Sequence, residues 1–232
     1  GAPLVERCDI TLLPELAWQN IPDSAPIDRA RGIAARHPDL VFSESELERI
    51  RDAISGAEFA PIGEPEAPLD ALAAELQSAD FVHFACHGRF DPAAPHRSGI
   101  VLAGEDRVLT VERIQQLDLN RLRLVVAGCC WSGDMAILPG REMIGVPAAL
   151  MAAGAHRVIA SLWQISDPHS PDFMVELYAL LRRHRADFAL AETQRKWRDR
   201  NPWLWAGLAL HQRALRPGSW WGRMLTRIAT RG

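Results

Sequence analysis

The sequence predicts an α/β sandwich built around a mostly parallel sheet. Three near-continuous apolar runs carry this prediction, at residues 81–86, 122–127 and 157–162. Such runs are typical of strands buried on both faces, as the strands of parallel sheets are. Helical patterns lie between the runs, which gives the alternation of strands and helices expected of an α/β domain. We expect residues 1–232 to form a single domain of this kind.

The segment ahead of the first run has weaker signals. Residues 43–54 form an acidic amphipathic stretch, and residues 69–76 show a second helical pattern. Between them, residues 61–68 hold three prolines and a glycine, which predicts a loop. No convincing strand opens the chain, so we expect it to be an excised C-terminal domain without its regulatory part.

The middle of the chain continues the alternation. Residues 100–102 and 108–109 predict two short strands, followed by a helix with Thr110 as its N-cap. Residues 143–153 are rich in alanine and predict a helix that ends before Gly154.

The C-terminal part contains two helical segments and a last apolar run. Residues 204–210 suit either a strand or a short helix. Beyond them lies a basic tail, residues 211–232, whose apolar side chains recur at helical spacing. The tail is expected either to pack onto the domain or to contact a partner or a membrane surface. Its apolar members are Trp220, Trp221, Met224, Leu225 and Ile228.

Composition excludes several classes of protein. The chain has 48% hydrophobic and 24% charged residues, as globular proteins have. No apolar stretch reaches the roughly 18 residues of a membrane span. The N-terminus lacks the basic and apolar regions of a secretory signal, so we expect a cytoplasmic protein. Four cysteines in a chain of this length favour reduced thiols over a disulfide framework.

Charge is divided unevenly along the chain. Residues 1–120 hold 10 Lys and Arg against 21 Asp and Glu, whereas residues 121–232 hold 16 against 8. The two halves therefore attract each other or face different partners. Because no motif interleaves basic and aromatic residues, we expect no direct contact with nucleic acid.

Two loops carry the residues suited to chemistry. Cys86, His87 and Gly88 lie at the carboxyl end of the first apolar run, and Cys129 and Cys130 lie at the carboxyl end of the next. The carboxyl ends of parallel strands are where active sites gather. A cysteine that attacks a carbonyl must lose its proton to a base, and His87 and Cys130 fit these two roles. The backbone N–H groups of Gly88 and Cys130 are candidates for an oxyanion hole.

Other interpretations of these residues are open. Cys86, His87, Cys129 and Cys130 are four potential zinc ligands, but they lack a CxxC pair, and adjacent residues at a strand end point in opposite directions. We therefore expect no metal and no cofactor. Cys86 and Cys129 are interpreted as buried structural cysteines. His83 lies on the face of His87 but deeper, where we expect it to bond a neighbouring carbonyl.

Five segments resemble, in order and spacing, the blocks of the CHAT proteases, which are caspase-like cysteine peptidases related to separase. The segments are VHFACHG, LTVERIQQLDL, VVAGCCWSG, GVPAALMAAGAHRVIASLWQISD and NPWLWAGLAL. They cover residues 80–210 well, and residues 1–79 match loosely. The resemblance implies a caspase-hemoglobinase α/β/α sandwich that cleaves proteins through a His/Cys dyad under the control of repeat or sensor modules.

The resemblance also implies site residues. The family's cysteine precedes any residue, then Ser or Thr, then Gly, which places the dyad on His87 and Cys130. Cys129 is then the neighbour of the nucleophile. Separase-like peptidases carry an acid in the SLWQISD block that receives a basic substrate side chain, which implies this role for Asp167. Trp163 and Trp131 are candidate pocket walls, although Asp167 also suits a capping role before a proline and Trp163 also suits the core.

The chain departs from the family at four positions. Thr is common where Cys86 stands, Ala where Cys129 stands and Pro where Gln164 stands, and Trp131 is bulky for its place. None of these departures removes a dyad residue, but they alter the shape of the pocket.

Two functions follow. The first is a cysteine endopeptidase that cuts a protein substrate, as a regulated bacterial effector or defence protease controlled by a sensor domain or protein. The second is a caspase-like scaffold whose pocket is occluded by Trp131 or by the tail.

Overall fold

The structure is a computed structural model of the chain. It describes residues 4–6, 8–10, 12, 29–34, 42–54, 58–61, 69–103, 107–129, 132–133, 135–137, 143–163, 165, 169–200 and 202–212. The candidate site residues Cys130, Trp131 and Asp167, together with Gln164 and the tail beyond residue 212, lie outside this part of the chain.

A six-stranded sheet forms the centre of the domain, with the strand order β11-β10-β7-β3-β1-β2. Five of these strands are parallel, and β11 runs antiparallel to β10 at one edge. The mostly parallel sheet confirms the predicted α/β fold class. The strands are β1 (Arg29–Ala34), β2 (Glu58–Pro61), β3 (Phe81–Ala85), β7 (Leu124–Ala127), β10 (Arg157–Ser161) and β11 (Leu208–Gln212).

The three predicted apolar runs form β3, β7 and β10, which are adjacent in the sheet. Every residue of these three strands is buried. Continuous apolar sequence matches this environment because layers cover both faces of the strands.

Helices pack on both faces of the sheet. One hydrophobic cluster joins α2, α3 and α4 to one face, and a second joins α1, α5, α6 and α7 to the other. The helices are α1 (Ser43–Ala53), α2 (Leu69–Ser78), α3 (Val111–Ile114), α4 (Val146–Ala152), α5 (Ser170–Leu181), α6 (Ala186–Trp197) and α7 (Pro202–Trp205). The Thr110 side chain caps α3 as predicted, accepting a hydrogen bond from the Arg113 N–H at 3.2 Å.

Two small sheets extend from the central one. A three-stranded sheet has the order β4-β5-β6, and a hairpin pairs β8 with β9. Their strands are β4 (His87–Arg89), β5 (Gly99–Ala103), β6 (Arg107–Thr110), β8 (Met135–Ile137) and β9 (Met143–Gly145). Among the described residues, no helix is both long and apolar enough to cross a membrane.

The predicted helix over residues 143–153 was too long. Its first three residues form β9, and α4 begins only at Val146. Pro147 explains the late start, because a proline is tolerated in the first turn of a helix but clashes with the turn before it. Gly154 follows the helix with φ +122°, a conformation that favours glycine.

The expectation that no strand opens the chain was wrong. β1 lies inside the central sheet, between β2 and β3. Its sequence, RARGIA, has two arginines and a glycine, so it lacks the apolar pattern of its neighbours. The run at residues 204–210 supplies both predicted alternatives, since α7 ends at Trp205 and β11 begins at Leu208.

Candidate active site

The candidate site lies where three adjacent parallel strands end. β3 ends at Ala85 and is followed by Cys86 and His87. β7 ends at Ala127, and Gly128 and Cys129 follow it. Since β3 pairs directly with β7, the two predicted loops begin side by side at the carboxyl edge of the sheet. The structure thus brings His87 and the residues that precede Cys130 to one edge.

His87 and Gly88 occupy the start of β4. This strand runs antiparallel to β5, with His87 opposite Val101 and Gly88 opposite Ile100. Both residues are half-buried, whereas Cys86 before them is buried. The strand pairing therefore fixes the backbone of His87, and His87 remains partly exposed to solvent.

Cys129 and Cys86 form a pair of buried thiols beside this edge. Burial raises the pKa of the Cys129 thiol well above its ordinary value, and a hydrogen bond with the Cys86 side chain adds to the effect. The Cys129 Sγ lies 3.7 Å from the Phe84 carbonyl oxygen. A thiol in this environment stays protonated at neutral pH, whereas a nucleophile must form a thiolate.

Ser132 and Gly133 fasten the chain beyond Cys130 to the neighbouring strand. The Ser132 hydroxyl donates to the Ala127 carbonyl at 2.9 Å and accepts from the Ser161 N–H at 3.0 Å. The Gly133 N–H donates to the Ser161 carbonyl at 2.7 Å. An added Cβ at Gly133 would lie 2.8 Å from that same oxygen, closer than real Cβ atoms approach. We call residues 128–133, which follow β7, the cysteine loop. Ser132 and Gly133 thus join the end of this loop to the ends of β7 and β10.

A buried polar network lies below the cysteine loop. His83 is fully buried in β3, with its Nε2 2.9 Å from a Glu46 carboxyl oxygen and its Nδ1 2.8 Å from the Tyr178 hydroxyl. The Ser170 hydroxyl donates to the other Glu46 oxygen at 3.2 Å. The expectation that His83 bonds a neighbouring carbonyl was therefore wrong. Its partners are side chains on α1 and α5, because the imidazole points away from the strand into the helical layer.

Burial also raises the pKa of Tyr178 well above its ordinary value, and the charge of Glu46 raises it further. The phenol therefore keeps its proton and can donate it in the hydrogen bond with His83 Nδ1. In the tautomer that carries the ring proton on Nε2, Tyr178 donates to Nδ1 and Nε2 donates to Glu46, so that this tautomer satisfies both hydrogen bonds of the ring.

Sequence reasoning missed Glu46 and Tyr178. The signal for Glu46 is its position on α1, where it shares the buried stripe of Ser43, Leu47 and Ile50 at helical spacing. An acid on the apolar stripe of an amphipathic helix requires a buried partner. Tyr178 is the single tyrosine of the sequence.

Trp163 stands near the same edge, two residues beyond β10. Its indole N–H donates to the Trp203 carbonyl at 2.8 Å, and the two rings pack edge to face with centroids 5.6 Å apart. Gly207 lies against the indole, where an added Cβ would be 2.8 Å from its nitrogen. The ring of Trp163 is therefore held by α7 and the turn that follows it. Trp203 itself is 66% exposed.

The described residues contain no group of three or more His, Cys, Asp or Glu side chains arranged to hold a metal ion. No disulfide bond joins the described cysteines, which are Cys8, Cys86 and Cys129.

The model of the CHAT domain family matches residues 1–213. The chain belongs to the CHAT domain family. This confirms the resemblance drawn from the five sequence blocks, and the match includes the residues before Asp80, where those blocks gave little. No curated protein sequence matches this chain at a significant level.

Two solved structures of the Saccharomyces cerevisiae separase–securin complex have the same fold. The structure at 2.6 Å resolution matches with a TM-score of 0.55 and 17% identity, over 87% of this CHAT domain and 13% of the matched chain. The structure at 3.0 Å resolution matches with a TM-score of 0.55 and 14% identity, over 82% and 12%. This CHAT domain thus has a caspase-like, separase-related fold and spans only a small part of those chains.

Proposed function

We propose that this CHAT domain is a cysteine endopeptidase that cleaves a protein substrate through a dyad of His87 and Cys130. One observation carries the proposal. His87 is the second residue after β3, Cys129 is the second residue after β7 and is followed in sequence by Cys130, and these two strands are parallel neighbours. The caspase-like fold and the family support a peptidase over other uses of this sheet edge.

The reaction begins when His87 takes the proton of the Cys130 thiol. The thiolate attacks the carbonyl carbon of the peptide bond, and the new oxyanion accepts hydrogen bonds from the N–H groups of Gly88 and Cys130. His87 then gives its proton to the leaving amine as the C–N bond breaks. Water hydrolyses the resulting thioester, with His87 as the base, and restores the thiol.

The choice between the two adjacent cysteines rests on the surroundings of Cys129. Its thiol is fully buried, and burial raises its pKa, so that it has neither access to a substrate nor a thiolate. Ser132 and Gly133 complete the family's pattern of cysteine, any residue, serine and glycine only when the count starts at Cys130.

We also propose a pocket for the substrate residue before the cut, lined by Trp163 and Trp131, with Asp167 as its acidic residue. An Asp carboxylate pairs with an Arg or Lys side chain. A bidentate Arg contact in a partly desolvated pocket contributes about 2–3 kcal/mol, which corresponds to a preference of roughly 30- to 150-fold.

Regulation by a protein partner belongs to the same proposal. The separase relatives were solved in complex with securin, a second protein. We propose that this CHAT domain acts in the bacterial cytoplasm as a defence effector and that a sensor domain or protein controls it.

An acyl-type electrophilic probe tests the dyad without knowledge of the substrate. The wild-type chain should be modified at Cys130, and the Cys129→Ala variant should be modified equally. His87→Ala should slow the reaction by roughly a thousandfold, because a nucleophile and its base act as a unit. A chain that is folded but unmodified at Cys130 would reject the peptidase and favour an occluded scaffold.

A peptide library varied at the residue before the cut tests the pocket. A preference for Arg or Lys that is lost in Asp167→Asn supports the assignment. An apolar preference that is unchanged by this substitution rejects it.

A further inference from the structure

A polar cluster in an otherwise apolar layer lies directly below the cysteine loop. Glu46 is 6% exposed, Tyr178 2% and His83 fully buried. Together with Ser170, they join α1, β3 and α5 through hydrogen bonds of 2.8–3.2 Å. The Phe81 and Tyr178 rings pack edge to face with centroids 5.4 Å apart, so the surroundings of the cluster are apolar.

The cluster lies beside Gly128, where the cysteine loop starts. A Cβ added at Gly128 would lie 3.7 Å from a Glu46 carboxyl oxygen and 3.2 Å from the Phe84 carbonyl oxygen. The Gly128 N–H donates to that carbonyl at 3.0 Å. Phe84 is the residue after His83. The Gly128 backbone and the Glu46 side chain are therefore bonded to adjacent residues of β3.

Stability alone does not require such a cluster. Burying a carboxyl group is costly even when it is fully bonded, and apolar side chains of similar volume often replace buried polar pairs without loss of stability. A polar cluster does fix the relative positions of the elements that it joins, because each hydrogen bond sets a distance and a direction that apolar packing leaves free. Here the fixed groups are α1, β3 and α5, which surround the backbone two residues before Cys130.

We propose that Glu46 and His83 are positioning residues that hold the Gly128–Cys129 backbone in place and thereby align Cys130 with His87. The proposal rests on the proposed peptidase function. It assigns the two residues no proton transfer with the substrate, since the network is closed by Tyr178 and Ser170 below the site.

The test replaces the whole cluster by apolar residues of similar size. The variant combines Glu46→Met, His83→Leu and Tyr178→Phe, so that the half-buried Ser170 hydroxyl is the one group of the described network that loses its partner. The measurements are its thermal unfolding and the rate at which iodoacetamide alkylates Cys130, with the exposed Cys8 thiol as internal reference. We expect the variant to fold and its Cys130 to react at about one tenth of the wild-type rate or below. Small displacements of a reacting atom have large effects on rate.

A folded triple variant that alkylates at the wild-type rate overturns the proposal. Two milder variants keep the test valid if the triple variant does not fold. Tyr178→Phe and Ser170→Ala each remove one bond of the network, and each should slow the alkylation at least about twofold. Wild-type rates in both variants also overturn the proposal.

Thr193→Val is the matched control. Thr193 is fully buried in α6 and its hydroxyl donates to the Ala189 carbonyl at 2.8 Å, away from the sheet edge. Its loss should lower stability and leave the alkylation rate of Cys130 unchanged. Wild-type Cys130 that reacts no faster than Cys8 would refute the proposed function itself, whereas fast reaction in both wild type and triple variant refutes only the positioning role.

Discussion

His211 makes the stability of this CHAT domain sensitive to acid. The residue is fully buried in β11, between Val158 of β10 and a bridge to Leu12. Among the described residues, neither ring nitrogen has a hydrogen-bond partner. Burial lowers its pKa from 6.5 to about 4. An imidazole in this position is neutral in the folded chain, because burial away from water makes its charged form unfavourable.

The sign and size of the effect follow from the two pKa values. The unfolded chain binds a proton at His211 as the pH falls below 6.5, whereas the folded chain binds it only near pH 4. The stability that depends on the neutral ring is therefore complete above 6.5 and is lost as the pH falls toward 4. Between about pH 7 and about pH 5 the loss is about 2 kcal/mol, and it approaches about 3 kcal/mol below the folded pKa.

Replacing His211 by Leu removes this dependence, because the new side chain cannot bind a proton. Urea unfolding of both chains at about pH 7 and about pH 5 should show that the advantage of His211→Leu over wild type grows by about 2 kcal/mol at the lower pH. Gln212→Leu, on the same strand, replaces a residue without an ionisable group and should change stability equally at both pH values. An advantage of His211→Leu that is the same at both pH values would refute the reasoning.

Three further predictions concern the site and its frame. Cys130→Ala should abolish peptide cleavage, while Cys86→Ala and Cys129→Ala keep much of it; an active Cys130→Ala beside an inactive Cys129→Ala would show that the dyad is one residue out of register. Gly133→Ala should lower the free energy of unfolding by about 1–3 kcal/mol and slow the alkylation of Cys130, because its Cβ would meet the Ser161 carbonyl at 2.8 Å. Gly154→Ala should cost about 2 kcal/mol in urea unfolding and leave the Cys130 reaction unchanged, since φ is +122° there and the position lies after α4; equal stability would contradict it.

The parts of the fold that sequence could predict are those with a local signal. β3, β7 and β10 are buried on both faces, and an apolar run of four or five residues is sufficient evidence for each. β1 has no such signal. Its arginines and glycine form a strand because the backbone pairs with β3 and β2 on either side, and this pairing depends on residues far away in the chain.

The same distinction applies to the candidate site. The positions of His87 and Gly88 follow from where β3 ends, which the sequence predicts. The partners of His83 do not, because Glu46 and Tyr178 are 37 and 95 positions away and come from two different helices. Sequence identified a buried histidine, but only the packing of α1 and α5 on the sheet determines what it bonds.

The pH dependence of Cys130 alkylation tests the central claim most directly. The rate of reaction with iodoacetamide is measured from about pH 5 to about pH 9 in wild type and in His87→Ala, since an isolated thiol titrates near ~8.5 and a thiol paired with an imidazolium titrates below it. A dyad of His87 and Cys130 predicts rapid reaction well below the pKa of a free thiol in wild type, and a shift to the free-thiol profile in His87→Ala. Identical profiles in the two chains, each with the midpoint of a free cysteine, would contradict the dyad.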